Sequence, residues 1–282
     1  MIDALASSRE RILAVGVVVY RSEPSLLQRL RCAIDADFDV YLFDNSPEDG
    51  TVRGFAEVNP RCHYNTCGKN LGLGVGISAV CSQAFYAGFA ALLFFDQDTV
   101  FDAHTLAFVA RFAFLRQDMS RSYSAVVFNA KRGAPLADAD VPIRDVVMAI
   151  SSGTMFFLSN LRKLNWHNAS YFVDCADYEF CFKSELHGLK IAEVSCTPGF
   201  DHLSEQPDRT YRLLGRNHAV RRYSASRVRG TLWASTRLIM AALRAGRLRF
   251  AALMIRSVSV YATFQVIARL VAPSRSEQKD SR

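Results

Sequence analysis

The sequence has no long uninterrupted apolar run and no internal repeat. Its N-terminal stretch, MIDALASSRERI, lacks the apolar core of a secretory leader. In the apolar C-terminal part the longest charge-free stretch, SVSVYATFQVIA, is about a dozen residues, where a spanning helix needs about 20. These absences predict a cytoplasmic chain that does not cross a bilayer. The seven cysteines (Cys32, Cys62, Cys67, Cys81, Cys175, Cys181, Cys196) show no pairing pattern, and Cys62 and Cys67 lack the second pair a zinc site would need. Most of them read as small buried hydrophobes in a reducing compartment. The glycines of LGLGVG complete neither GxGxxG nor a GK[ST] ending, so Gly72, Gly74 and Gly76 read as turn and close-packing residues.

What is present suits one folded domain with an appendage. Half of the 282 residues are hydrophobic and 22% are charged, enough to bury a substantial core. The net charge of +7 comes largely from arginines crowded into the last third, so the basic character is regional and points to a partner there. RILAVGVVVY, DVYLFDNS, CHYNT, ALLFF and SAVVFNA read as strands. Between them, Pro24 to about Ile34, LGVGISAVCSQAFYAGF and DAHTLAFVARFAFLRQ have helical spacing. Strands alternating with helices imply right-handed crossovers and a mostly parallel sheet. KRGAPLADAD, residues 131 to 140, reads as a surface loop.

Ligands of an open parallel sheet bind beyond the carboxyl ends of its strands. Asp44 stands at one such end and the pair Asp96 and Asp98, in FFDQDTV, at another. Neighbouring acids repel unless something neutralises them, and hard oxygen ligands suit Mg²⁺ or Mn²⁺. The alternative is that one aspartate caps the helix starting near Asp102 and the other is solvated. In YFVDCADYEFCFKSELHGL, Asp174 and Asp177 share a helical face, and Glu179 points elsewhere. Asp174 reads as a helix cap or an acceptor contact, and Trp166 as a sugar-stacking or a packing residue.

Taken together, VVVYRSEPSLLQRL with DVYLFDNS, KNLGLGVGIS, LLFFDQDTVF, and SSGTMFFLS with YFVDCADYEFCFKSELHGLKI resemble, in that order, the bacterial family-2 glycosyltransferases of the GT-A fold. The branch most similar is the rhamnosyltransferase-like one that uses dTDP-L-rhamnose. With a fifth block, PGFDHLS and YRLLGRNHAVRRY, the resemblance covers about residues 12 to 223. It implies an α/β GT-A domain, Rossmann-like, over residues 1–224, with a helical tail over 225–282. It implies further that Val19, Tyr20, Asp44, Asn70, Gly72 and Asp96 bind the nucleotide-sugar donor. Asp98 and His202 would stand at a Mg²⁺ or Mn²⁺ ion, and Asp177 would be the catalytic base. Asp174 and Trp166 would face a glycan or a polyprenyl-diphosphate-linked acceptor. Ser78, Lys183 and Leu203 stand where the family usually has asparagine, arginine and glycine.

Such a reaction belongs to cell-surface polysaccharide synthesis. Two rival readings remain open on the residues. One is a haloacid-dehalogenase-type phosphatase with Asp96 as nucleophile. The other is a non-catalytic, membrane-associated scaffold that keeps the fold. The C-terminal helices, in which single arginines interrupt apolar stretches, suggest peripheral binding at the inner face of the membrane or packing against a second subunit. Nucleic acid is not expected, because the basic residues are interleaved with aliphatics.

Overall fold

In a computed structural model the protein is described over residues 11–48, 50–129, 141–195, 197–200, 209–213 and 216–270. The chain divides into two compact units between residues 203 and 204.

The first unit begins with β1 (Leu13–Val19), α1 (Ser25–Asp35), β2 (Val40–Asp44), α2 (Thr51–Glu57) and β3 (Cys62–Thr66). It continues with α3 (Leu73–Tyr86), β4 (Ala91–Asp96), α4 (Ala103–Leu115), β5 (Tyr123–Phe128), β6 (Ile143–Val146), β7 (Thr154–Phe157), α5 (Leu158–Lys163), α6 (Ala176–Leu186) and β8 (Lys190–Val194). The eight strands form one sheet in the order β3-β2-β1-β4-β7-β5-β8-β6. Neighbours from β3 through β4 pair in parallel, as do β5 and β8. β7 runs antiparallel between β4 and β5, and β6 antiparallel at the edge beside β8. The expected mostly parallel α/β architecture is therefore present.

The sequence explains this arrangement locally. LAVGVVV is buried along its whole length, as a strand covered on both faces must be. On one face Val15, Val17, Val19, Leu93 and Phe95 pack with Leu30 of α1, Phe55 of α2 and Val109 of α4 in one continuous core. On the other, Gly76 of α3 lies so close to Val18 that an added Cβ would meet its methyl at 2.6 Å, so α3 packs against the sheet at glycine distance. Each fully buried Phe or Leu contributes about 1.5–3 kcal/mol. Asp102 starts α4 as N-cap, accepting from the Thr105 N–H at 3.0 Å in a capping box. The capping role is thus taken by Asp102 itself, which leaves Asp96 and Asp98 for other work.

In the second unit β9 (Arg209–Leu213) and β10 (Arg216–Val220) pair antiparallel. α7 (Ala225–Arg244) and α8 (Leu248–Leu270) follow and pack together as a helical hairpin turned at Ala245–Arg247. Ala234, Ser235, Leu238 and Ala242 of α7 are buried, as are Phe250, Ala251, Met254, Gln265 and Ala268 of α8. The Gln265 amide donates to the Arg221 carbonyl at 2.8 Å and accepts from the Tyr223 N–H at 3.2 Å, so the polar interruption of α8 pins its end to the start of α7. With its nineteen residues from Phe250 to Ala268 holding one charge, Arg256, α8 is long and apolar enough to cross a membrane by length and composition. The sequence expectation counted uninterrupted runs only, and Arg256 divides this one.

Candidate active site

The carboxyl ends of β1, β2 and β4 point the same way, and three short loops leave from them. Val19 is buried at the end of β1, and Tyr20 beyond it is exposed. The backbone N–H of Tyr20 donates to the Gln97 side-chain oxygen at 2.7 Å, and the Gln97 amide donates back to the Tyr20 carbonyl at 3.0 Å. The middle residue of the D-x-D turn therefore ties the turn to the strand beside it.

Asp44 is 2% exposed at the end of β2. One carboxylate oxygen accepts from the Ser46 N–H at 2.7 Å and the Ser46 hydroxyl at 3.2 Å; the other accepts from the Tyr64 phenol at 3.0 Å. Next to it, Asn45 donates to the Gly72 carbonyl at 3.3 Å and accepts from the Leu71 N–H at 2.9 Å. Asn70 accepts from the Gly72 N–H at 2.9 Å in a local turn. Gly72 has a φ of +87°, and a Cβ there would meet the Phe172 carbonyl oxygen at 2.2 Å, so the position takes glycine alone. The structure thus brings Asp44, Asn70 and Gly72 together, with Asn45 as a link that the sequence showed only as part of FDNS.

Because β7 runs antiparallel to β4, its first residues start beside the end of β4: Phe94 pairs with Thr154, and the Gly153 N–H donates to the Phe94 carbonyl at 2.8 Å. This delivers Ser151 and Ser152 to the acidic turn. The Ser152 hydroxyl accepts from the Asp96 N–H at 3.1 Å and bonds the Thr99 hydroxyl at 2.6 Å. The Ser151 hydroxyl donates to Asp177 Oδ1 at 2.5 Å, and its backbone also bonds that carboxylate. Adjacent serines therefore hold the turn of the aspartate pair and Asp177, which stand 79 positions apart.

The electrostatics report the same convergence. Burial, then the charges of Asp177 and Asp98, push Asp96 up to about 7. Burial also raises Asp177, opposed by its two bonds from Ser151. Asp177 lies in the first turn of α6, whose exposed N–H groups favour an anion. The N-cap of that helix is Cys175, in a left-handed conformation without a side-chain cap bond, so Asp174 stands ahead of the helix and is not its cap. Glu179 does turn elsewhere: it pairs with Lys183 at 3.6 Å and accepts from Asn168 at 3.4 Å. Lys183 also donates to the Trp166 carbonyl. Ser78 hydrogen-bonds the backbone of His167, tying α3 to the loop before α6.

Trp166 is not brought to Asp177. Its ring packs edge-on against Phe85 at 5.9 Å, about 18 Å along α3 from Leu73 and toward the opposite edge of the sheet. A cleft of about 290 Å³ lined by Ile12, Phe85, Phe89 and Phe157 opens at that opposite edge and carries no titratable side chain. His202 lies outside the described residues. Among the described residues no group of three His, Cys, Asp or Glu side chains forms a complete metal cage. The two carboxylates of the D-x-D turn are hard oxygen donors, and burial first, then the like charges of Asp177 and Asp98, raises the proton affinity of Asp96. They fit a divalent cation that takes its other ligands from phosphate oxygens and water.

The fold is the mixed α/β GT-A fold. Residues 14–118, just over a third of the chain, match the family model described as glycosyl transferase family 2. That segment carries Asp44, Asn70, Gly72, Asp96 and Asp98. S. aureus TarS 1-349 in complex with UDP-GlcNAc is similar with a TM-score of 0.60 at 15% identity, over 86% of this chain and 71% of that one. S. aureus TarS has a TM-score of 0.50 at 17% identity over 67% of this chain, which spans only 36% of the TarS chain. GalNAc-T7 with UDP, GalNAc and Mn²⁺ gives 0.52 at 13% identity, over 67% of this chain and 43% of that one. No curated protein matches.

Proposed function

We propose that the chain is an inverting glycosyltransferase that moves a sugar from a nucleotide-diphosphate donor to a glycan or polyprenyl-diphosphate-linked acceptor in cell-surface polysaccharide synthesis. L-Rhamnose from dTDP-L-rhamnose is the first donor to test, on the sequence resemblance. The observation that carries the reading is the meeting of Asp96, Asp98 and Asp177 at the carboxyl edge of the sheet, on segments far apart in sequence. The match of residues 14–118 to the family-2 model supports it, as do the UDP-GlcNAc of one similar structure and the UDP and GalNAc of another.

The chemistry follows from the parts. Asp44, with Val19 and Tyr20, receives the nucleotide base; the turn at Asn70 and Gly72 brings backbone close to the nucleotide. Asp98, with Asp96 beside it, would hold Mg²⁺ or Mn²⁺ against the donor diphosphate, and that ion would supply the positive charge a leaving diphosphate requires. Asp177 removes the proton from the acceptor hydroxyl as its oxygen attacks the anomeric carbon. Ser151 fixes the Asp177 carboxylate through its hydroxyl and its backbone. A single displacement of this kind inverts the anomeric centre.

Thermal unfolding with Mg²⁺ or Mn²⁺ and dTDP, UDP, GDP or CDP in turn tests the reading. A nucleotide at 100 times its Kd should stabilise the fold by roughly 2.7 kcal/mol. The expected pattern is metal-dependent stabilisation that Asp98→Ala abolishes, with Asp177→Asn keeping it and losing turnover. Absence of any nucleotide effect, with or without metal, overturns the proposal. A preference for UDP or GDP keeps the reaction and replaces rhamnose.

A further inference from the structure

Between Arg209 and Leu270 the sequence holds thirteen arginines, no lysine and no carboxylate. The rest of the chain then has 21 basic against 27 acidic residues, a net charge of −6 set against the +13 of this segment. So one-sided a segment, inside a chain that is otherwise acidic, calls for an anionic partner.

The helical hairpin adds a second observation. α8 buries one side against α7 and leaves the other side uncovered within its unit. On that outer side Leu248, Ile255, Val266 and Leu270 are 68%, 47%, 54% and 78% exposed, with Ala252 and Ser259 completing the row. Their spacing keeps them on one face for 22 residue steps, about 33 Å. No charge falls in the row. Arg249 and Arg256, each one residue past an apolar member and seven apart, form a parallel row on its flank, and both are exposed. An apolar strip bordered by arginines matches the boundary between acyl chains and anionic headgroups.

Two alternatives fit less well. A second copy would bring a like-charged, carboxylate-free hairpin against this one. A nucleic acid would meet aliphatic side chains between the arginines, where phosphate and base contacts need polar or aromatic ones. Spanning the bilayer is disfavoured by the antiparallel partner. Arg237 lies seven residues before the end of α7 and Arg256 eight after the start of α8, so both would enter the hydrocarbon at one depth, roughly 11 Å from the turn.

We infer that the α7–α8 hairpin is a docking surface for an anionic lipid bilayer and lies in the plane of the interface, with Leu248, Ile255, Val266 and Leu270 toward the acyl chains and Arg249 and Arg256 on the headgroups. The inference stands on the second unit alone and does not require the glycosyltransferase reading.

The test is flotation of the full chain with vesicles of phosphatidylglycerol and phosphatidylethanolamine, compared with vesicles of phosphatidylcholine only. Binding should be at least about tenfold stronger to the anionic vesicles, weaken with salt and be released by alkaline carbonate. Arg249→Glu with Arg256→Glu should lower it by about tenfold or more. Leu248→Asn with Ile255→Asn should also weaken it. All four side chains are exposed, so unchanged thermal midpoints will show that the variants fold. Equal binding to neutral vesicles, retention through carbonate, or no flotation overturns the inference. So does a dimer by sedimentation that the Leu248 and Ile255 changes break while lipid binding stays absent, or preferential binding of an RNA oligonucleotide over anionic vesicles.

Discussion

Replacing Ser151 by alanine removes one hydroxyl from the interior and leaves the backbone path of the loop unchanged. Ser151 is buried and its hydroxyl donates to Asp177 Oδ1 at 2.5 Å, a charge-assisted bond in a poorly solvated site. Bonds of this kind are worth about 1.5–3 kcal/mol. That bond, with the Ser151 backbone contact, opposes the upward push of burial on the Asp177 pKa, so its loss raises the proton affinity of Asp177, the proposed base, further. Turnover at neutral pH should fall by roughly 10- to 100-fold, at 1.4 kcal/mol per factor of ten. The acid limb of the pH–rate profile should move to higher pH. Nucleotide binding, which the proposal assigns to Asp44, Asn70 and the D-x-D turn, should not change. The assay is turnover against pH with the donor that the nucleotide screen selects, alongside nucleotide-induced thermal stabilisation. Ser151→Thr, which keeps a hydroxyl, should recover part of the loss. Wild-type turnover with an unmoved acid limb in Ser151→Ala would refute the idea that this serine positions the base.

The remaining predictions concern charge, backbone and pairing. Asp96, Asp177 and Glu179 are all raised in the folded state, so each favours folding at low pH and withdraws that support as pH rises through its folded pKa. Metal-free protein should therefore lose stability between the ordinary carboxylate range and about pH 7, by an amount on the order of 2–4 kcal/mol from Asp96; urea unfolding at several pH values should show the slope, and Asp96→Asn or added Mg²⁺ should flatten it. Gly72→Ala should cost more than about 3 kcal/mol in denaturant unfolding, because backbone strain of about 1–3 kcal/mol joins a clash with the Phe172 carbonyl, whereas Gly50→Ala, at φ +70° with nothing within 4 Å, should cost the strain alone. Lys183→Met should destabilise by about 3–5 kcal/mol by stranding buried Glu179, and adding Glu179→Gln should restore most of it in a double-mutant cycle. Tyr64→Phe should weaken nucleotide-induced stabilisation without removing it, since Asp44 keeps its bonds from Ser46.

The alternating strands and helices from β1 to α4 were legible because each carries a periodic or continuous apolar pattern: LAVGVVV, ALLFF and the capped AHTLAFVARFAFL leave little choice. α2 was not, since TVRGFAE is one short, mostly polar stretch. The direction of β7 was also hidden. TMFF looks the same whichever way it runs, because pairing direction is decided by distant strands and leaves no mark in the local period. That hidden reversal carries Ser151 and Ser152 to the aspartates, so the residues that organise the site were missed while the aspartates themselves were named. The serines of SSG entered only as the head of the block SSGTMFFLS, with no role of their own. The β9–β10 hairpin escaped notice because RTYRL and RNHAV lack the apolar alternation of a half-buried strand. Trp166, open in the sequence between stacking on a sugar and packing, packs against Phe85, and it follows a left-handed Asn165 (φ 57°) with a left-handed conformation of its own (φ 58°).

The Gln97 amide meets Tyr20 as a peptide group would: it accepts from one main-chain N–H and donates to the carbonyl of the same residue. A side chain here impersonates one more rung of the ladder between β1 and β4, beyond the point where those strands stop pairing. A side-chain amide offers an acceptor and a donor side by side, as a peptide group does; an ionised glutamate lacks the donor. The unnamed letter between two aspartates is thus a splice. Through it the hydrogen bonding of an eight-stranded sheet extends into the loop that carries the two carboxylates.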